Sequence, residues 1–271
     1  MTVSPSVKKR VYKLIFGVLA LYLLLCGVLY FNQEKLLFLP NKLNQNYVYG
    51  FGSHTQELNL TTKDGTTLNG LLFTTPQPKG LIFYLHGNAG NLASWGDVAA
   101  LYNALHYDVF LLDYRGYGKS GGTIANENQL YADNQMAYNE MKKRYPEKNI
   151  TVLGYSIGTG MAAQLAATNK PKLLILQAPY YSMTDLAHQI LPFIPSWVLK
   201  YKLATNVYVK QCQMPVVIFH GTSDEVIPYT SSVQLQRENK TNVTLISLQG
   251  QTHNGITENN DYRDAVAQVL E

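Results

Sequence analysis

Charge is scarce in this chain. Asp, Glu, Lys and Arg make up 15% of its 271 residues against 46% hydrophobic ones, a balance that excludes an intrinsically disordered polymer and leaves enough apolar material for one large α/β domain. Cysteine is rarer still. Cys26 lies inside an apolar segment and Cys212 just ahead of a strand, so an intramolecular disulfide is not expected and both should be free thiols. No His/Cys/Asp/Glu grouping has metal-ligand spacing, and neither a metal nor an organic cofactor is expected. The net charge of +4 comes partly from Lys8-Lys9-Arg10 beside that apolar segment. Elsewhere no basic stripe with interleaved aromatics occurs, so the charge points to membrane topology rather than to a nucleic-acid partner. Internal repeats and low-complexity stretches are also lacking.

One long hydrophobic run is present. Leu14 to Phe31 carries no charge over 18 positions, about 27 Å at helical rise, close to a bilayer core once Lys13 snorkels outward. A cleaved signal peptide would have a shorter apolar stretch and a small-x-small cleavage site, whereas this run is followed by Tyr30-Phe31-Asn32-Gln33. The expected organisation is therefore a cytoplasmic N-terminus at 1–10, an uncleaved signal-anchor helix at 11–31, a tether at 32–54 and a globular domain at 55–271. Lys8, Lys9, Arg10 and Lys13 precede the span, while Glu34 and Lys35 nearly cancel after it. The positive-inside rule then puts the domain on the extracytoplasmic side. Leu36 to Pro40 forms an apolar patch just beyond the span, with two fates open to it, the membrane interface or packing under the domain, of which the second is the commoner.

From Thr55 the chain becomes periodic. Gln56–Thr61 and Thr67–Thr74 alternate around Lys63-Asp64-Gly65 as an antiparallel hairpin. Strand patterns at Leu81–Leu85, Val109–Leu112, Ile150–Tyr155, Leu173–Leu176, Val216–Phe219 and Val243–Ser247 alternate with helical ones, a continuous helix up to Leu105 among them. This alternation predicts a parallel sheet with helices on both faces. The carboxyl ends of parallel strands share one edge, so residues just beyond them converge however distant they are in sequence.

The stretch Gly154-Tyr-Ser156-Ile-Gly158 stands where a strand breaks into a helix. A serine at such a turn is backbone-strained, and a Cβ on either flank would collide with the neighbouring strand and helix, which is why glycine is needed two residues to each side. The turn holds the hydroxyl above the sheet edge. Three other strand ends carry polar residues: His86-Gly-Asn88, His220-Gly-Thr-Ser-Asp224, and Gln251-Thr-His253. The order Ser156, Asp224, His253 suits nucleophile, acid and base. His253 would take the Ser156 proton and return it to the leaving group, while Asp224 fixes the imidazole tautomer. Backbone N–H groups of Ile157 and Asn88 would form the oxyanion hole. His86 and His220 are expected to brace their loops, and Asp113 and Arg115 to pair with each other.

Taken together, His-Gly-Asn-Ala-Gly-Asn91, Asp113-Tyr-Arg-Gly-Tyr-Gly-Lys-Ser-Gly121, the Ser156 elbow, His220-Gly-Thr-Ser-Asp224 and the His253 loop resemble the membrane-anchored branch of the α/β-hydrolase superfamily, over about residues 30–271. That branch contains monoacylglycerol and lysophospholipid lipases and protein depalmitoylases. The resemblance implies an eight-stranded, mostly parallel sheet and supports Asp224, not Glu225, as the acid. Gln177-Ala-Pro-Tyr180 departs from the pattern, where a serine-containing segment is expected.

The segment at about 180–209 is rich in Ile, Leu, Phe and Trp around Pro192 and Pro195, as a short apolar cap favouring acyl chains would be. The expected function is a membrane-tethered serine hydrolase acting on ester or thioester bonds of acyl-lipid or lipidated substrates. A peptidase or amidase of the same fold is the alternative within the class. A catalytically silent scaffold that binds a protein is the alternative outside it.

Overall fold

A computed structural model describes residues 4–271; residues 1–3 of the expected cytoplasmic segment lie outside the described residues. Eight strands form one sheet: β1 (Thr55–Thr61), β2 (Thr67–Phe73), β3 (Gly80–Leu85), β4 (Tyr107–Leu112), β5 (Ile150–Tyr155), β6 (Leu173–Gln177), β7 (Val216–Gly221) and β8 (Val243–Leu248). Their order across the sheet is β8-β7-β6-β5-β3-β4-β2-β1. The β1/β2 and β2/β4 pairs are antiparallel and every other pair is parallel. The sheet is thus the mostly parallel α/β-hydrolase sheet that the strand pattern and the resemblance predict, begun by the hairpin around Lys63-Asp64-Gly65.

The central strands are largely apolar because both of their faces are covered. Leu81, Phe83 and Leu85 of β3 point into a layer shared with Tyr138 and Met141 of α4 (Glu127–Lys142), Met161 of α5 (Gly158–Ala167) and Leu235 of α8 (Thr230–Glu238). Ile82 and Tyr84 point the other way, onto Leu92 of α2 (Leu92–Trp95), Tyr102 of α3 (Ala99–Ala104) and Tyr262 and Val266 of α9 (Asn260–Leu270). Each fully buried Leu or Phe contributes about 1.5–3 kcal/mol. The alternation along one strand therefore fastens helices to both faces at once.

Three features depart from the sequence expectations. The helix expected to run to Leu105 is broken by a 3₁₀ turn at Gly96–Val98. The break sits where the ring of Phe51 fills the space a side chain at position 96 would need, its atoms lying 2.6 and 2.9 Å from an ideal Cβ. The segment between β6 and β7, irregular in sequence, holds α6 (Met183–Ile190), a 3₁₀ turn at Ser196–Val198 and α7 (Thr205–Val209). Asp113 and Arg115 do not pair. Arg115 reaches Asp133 of α4 through Nε (2.6 Å) and Asp64 through Nη1 (2.8 Å), while Asp113 turns inward to accept the N–H of Leu92 at the start of α2. Burial pushes the Asp113 carboxyl above its ordinary range.

Helix α1 runs from Pro5 to Leu37, 33 residues, or about 50 Å. It is long and apolar enough to cross a bilayer, and most of its side chains from Val11 to Phe31 are exposed. Its second half is docked on the chain between β6 and β7. Cys26 is buried against Ile194 and Val198, Tyr22 donates through its hydroxyl to the Phe193 carbonyl at 2.8 Å, and Lys200 Nζ lies 2.6 Å from Glu34. Gln33 is buried with its amide satisfied at both ends, donating to the Val198 carbonyl (2.6 Å) and accepting from the Lys200 N–H (2.8 Å). Beyond the helix Phe38 enters the main core, and Leu39–Pro40 forms a two-residue parallel ladder with Ala89–Gly90. Cys212 belongs to the main core and Cys26 to the α1 contact, and both are free thiols.

Candidate active site

Strand β5 carries the site because of how it ends. Ser156 follows Tyr155 with φ = +51°, a left-handed conformation that is costly for a residue with a Cβ. Its N–H donates to the Gln177 carbonyl of the neighbouring strand (2.9 Å), and its own carbonyl accepts from the Thr159 N–H (2.9 Å) and the Thr159 hydroxyl (2.6 Å). These bonds fix the turn from strand to helix. A Cβ at Gly154 would lie 2.6 Å from the Gly158 carbonyl oxygen, and one at Gly158 would overlap the Leu85 carbonyl oxygen and come within 2.8 Å of that of His86. Both obstacles are backbone and cannot move aside. The glycines flanking the serine are therefore demanded by the close approach of β5, α5 and the end of β3.

The three strand-end residues converge. His253 Nε2 is 3.0 Å from Ser156 Oγ, and His253 Nδ1 is 2.8 Å from Asp224 Oδ2. The Asp224 side chain is fully buried. Its Oδ1 accepts the Val226 and Ile227 N–H groups, both at 2.8 Å, and its Oδ2 also faces His220 Nε2 at 3.1 Å. Burial alone would raise this carboxyl, but hydrogen bonds from His220, His253 and the Ile227 backbone outweigh it and hold it well below the usual carboxylate range. The result is an acceptor under the imidazole that stays ionised at neutral pH. Glu225 is exposed, and its side chain reaches only the His253 backbone N–H at 3.4 Å.

His86 and His220 lie in loop-bracing positions. His220 joins Ser232 of α8 (2.6 Å) to Asp224 and the Ile227 carbonyl. His86 packs between Tyr114, Tyr117 and Trp95, with Nδ1 2.7 Å from the Gly87 carbonyl. Asn88 and Ile157 flank the serine. Among the described residues, the backbone N–H of neither has a protein acceptor. The Asn88 side chain is occupied differently: its Oδ1 accepts the Leu39 N–H and the Tyr117 hydroxyl, both at 3.1 Å.

Sequence reasoning missed several participants. Tyr155 donates its hydroxyl to the His253 carbonyl at 2.5 Å, fixing the loop that carries the imidazole. Trp95, pinned by its indole N–H to the Ala89 carbonyl (2.7 Å), packs on Tyr155 and lines the cavity over Ser156. Leu36 and Leu37, from the end of α1, line the same cavity of about 330 Å³. The signal for these two was present, since no glycine or proline stands between Gly27 and Pro40 to end the helix. Gln177, where a serine-containing segment was expected, is buried under the site, accepting from the Tyr84 hydroxyl (3.2 Å) and donating to that of Tyr102 (3.4 Å).

The family described as serine aminopeptidase, S33, matches residues 76–211. Protein bem46 of Schizosaccharomyces pombe is 30% identical over 237 residues, covering 80% of this chain and 78% of that protein. The human alpha/beta hydrolase domain-containing protein 17B is 30% identical over 206 residues, covering 72% and 68%. Among solved structures, an esterase of Pyrococcus furiosus superposes with a TM-score of 0.70 at 19% identity, over 86% of this chain and 96% of that one. The family match spans half of the chain and includes the serine turn, and the fold agrees with it throughout. The chain therefore belongs to the serine aminopeptidase S33 family of the α/β-hydrolase superfamily, and it is a hydrolase.

Proposed function

We propose that the protein is a membrane-tethered serine hydrolase that cleaves carboxylic ester or thioester bonds of acyl-lipid or lipidated substrates. One observation carries the reading: the unbroken chain Ser156 Oγ, His253 Nε2, His253 Nδ1, Asp224 Oδ2, with links of 3.0 and 2.8 Å, around a serine held at positive φ. A serine hydroxyl is a weak nucleophile at neutral pH. As Ser156 Oγ bonds to the acyl carbon, His253 Nε2 takes its proton, and Asp224 stabilises the imidazolium that forms. The carbonyl oxygen gains negative charge, for which the unpartnered N–H groups of Ile157 and Asn88 are the donors. Collapse breaks the bond to the alcohol or thiol leaving group, which departs with the proton from His253. A water then repeats the sequence on the acyl-enzyme, releasing the carboxylic acid and restoring Ser156.

The family description makes an aminopeptidase the second reading. A free α-amino group needs a carboxylate to receive it, yet among the described residues no Asp or Glu lines the cavity over Ser156. Leu36, Leu37, Trp95, Met183, Leu186 and Val226 line it instead, which favours an acyl group. Membrane tethering rests on α1, with residues 11–31 as the span, 1–10 in the cytoplasm, 32–54 as the tether, and the catalytic domain from 55 on the other side, by the charge asymmetry around the span. Labelling with a fluorophosphonate tests the chemistry, since only an activated serine reacts. The adduct is expected on Ser156, and an unlabelled chain, or one labelled equally after His253→Ala, refutes it. A panel of acyl esters, thioesters and aminoacyl amides then separates the two readings.

A further inference from the structure

Beside the cavity over Ser156 lies a second one of about 270 Å³, and the two share Leu36, Leu37, Met183 and Leu186 on their walls. These four side chains stand between the cavity over the nucleophile and the second space. Its other walls are α1 on one side, through Leu29, and α6 with the chain after it on the other, through Ala187 and Leu191. The polar residues along it are committed elsewhere. The Gln33 amide is spent on the Val198 carbonyl and the Lys200 N–H, the Tyr201 hydroxyl bonds to Glu34, and His188 Nε2 lies 3.0 Å from the Ile194 carbonyl. A space lined this way offers water no partners, so it favours an apolar occupant.

Its location identifies the occupant. The chain from Ile190 to Val198 runs beside Tyr22, Cys26 and Leu29 of α1, within the stretch proposed to lie in the bilayer. Ile190, Phe193 and Trp197 point away from the protein there, 72%, 57% and 68% exposed. Ile190 also lines the cavity, so the cavity reaches the surface where that surface would meet hydrocarbon.

We infer that the cavity between α1 and α6 is the acyl-chain site of this hydrolase, filled laterally from the leaflet in which residues 190–198 are immersed. This rests on the proposed function, and it adds that the membrane helix is itself a wall of the substrate site. At roughly 30 Å³ per methylene, comparable to a water molecule, the cavity holds about nine methylenes beyond those lying over Ser156. The occupant is an unbranched chain of medium to long length, with its carbonyl at Ser156 and its tail towards Ile190.

The test uses the full chain in phosphatidylcholine vesicles and two fluorophosphonates, one ethyl and one dodecyl, with the rate of Ser156 labelling as the readout. The wild-type chain should react faster with the dodecyl probe. Ala187→Trp fills the cavity from α6 and should cut the dodecyl rate roughly tenfold or more, the effect of about two methylenes losing their burial, while leaving the ethyl rate unchanged. Leu29→Trp fills it from α1 and should do the same. Variants that both keep the wild-type ratio of rates, or both lose the two rates in proportion, overturn the acyl-chain site while leaving the nucleophile standing. Failure of both probes to label wild-type Ser156 would instead overturn the catalytic reading, and this inference with it.

Discussion

Replacing Asp224 by Asn tests the proposed mechanism most severely, because the surroundings dictate which way the amide must face. Oδ1 of Asp224 accepts two backbone N–H groups, from Val226 and Ile227, both at 2.8 Å. An asparagine must keep its oxygen there, since turning its NH₂ towards two donors would forfeit both bonds and set donor against donor. The NH₂ therefore takes the place of Oδ2, 2.8 Å from His253 Nδ1. Donation from the amide makes Nδ1 an acceptor and leaves the proton on Nε2, the atom 3.0 Å from Ser156 Oγ that must accept the serine proton. The base is thus blocked, and the imidazolium loses its counter-charge. The corresponding change in a serine protease costs roughly 10⁴ in turnover, or about 5.5 kcal/mol of transition-state stabilisation. Glu225→Gln should change little, because Glu225 is exposed and touches only the His253 backbone. Turnover of a short-chain ester and fluorophosphonate labelling on the two purified variants provide the comparison. A loss below about tenfold for Asp224→Asn, or a larger loss for Glu225→Gln, refutes this assignment of the acid.

Ser156→Ala and His253→Ala should each remove nearly all activity with the thermal transition preserved, and the double variant should be no worse than either; additive losses would show that the two do not act as a unit. Gly158→Ala should destabilise the fold by about 1–3 kcal/mol, because the new Cβ meets the backbone carbonyls of Leu85 and His86; an unchanged denaturation midpoint refutes the packing argument. The native carboxyl of Asp224 is held below its unfolded range near 4, so its stabilising contribution is complete above that range and is lost as pH falls towards the native value. Unfolding measured from pH 6 downward should therefore steepen below about pH 4 in the wild type and less in Asp224→Asn. A reporter fused after Glu271 should be found on the extracytoplasmic side, and a cytosolic signal overturns the orientation drawn from Lys8, Lys9, Arg10 and Lys13.

What was legible in the sequence was whatever leaves a periodic or punctuated trace. Leu81–Leu85 and Val216–Phe219 are continuous apolar runs because both faces of their strands are covered, and each ends at a polar residue on the sheet's carboxyl edge. The juxtaposition of Ser156, Asp224 and His253 followed from that edge and from chain order, without any contact being visible in advance. Less legible was everything fixed by side chains from unrelated segments. The ring of Phe51, more than 40 residues away, packs where the helix after Asn91 gives way to a 3₁₀ turn at Gly96, and Arg115 prefers Asp133 to Asp113 because α4 brings a second carboxylate to its buried guanidinium. Neither partner lies within the window over which local pattern speaks.

The α1 helix is the largest case of this kind, and it alters how the site is understood. Charge-free residues 14–31 mark a span and nothing more, and the residues that follow look like a tether. Yet the helix continues to Leu37 and is fastened by Gln33, Glu34 and Tyr22 to the chain after β6. Leu36 and Leu37 then face the serine cavity, Phe38 enters the core, and the Leu39 N–H donates to the Asn88 side chain. That last bond ties the end of α1 to the loop that offers the Asn88 N–H beside Ser156. A buried glutamine with both amide ends paired costs little, whereas pulling it away would strand the Val198 carbonyl and the Lys200 N–H on the chain between β6 and β7, at about 1–3 kcal/mol each. Docking of α1 is thus favoured by polar satisfaction as well as by apolar contact. The segment that would hold the protein at the membrane also supplies one wall of the cavity over Ser156 and supports one of its loops, so the proposed membrane attachment and the proposed substrate site are parts of one structure.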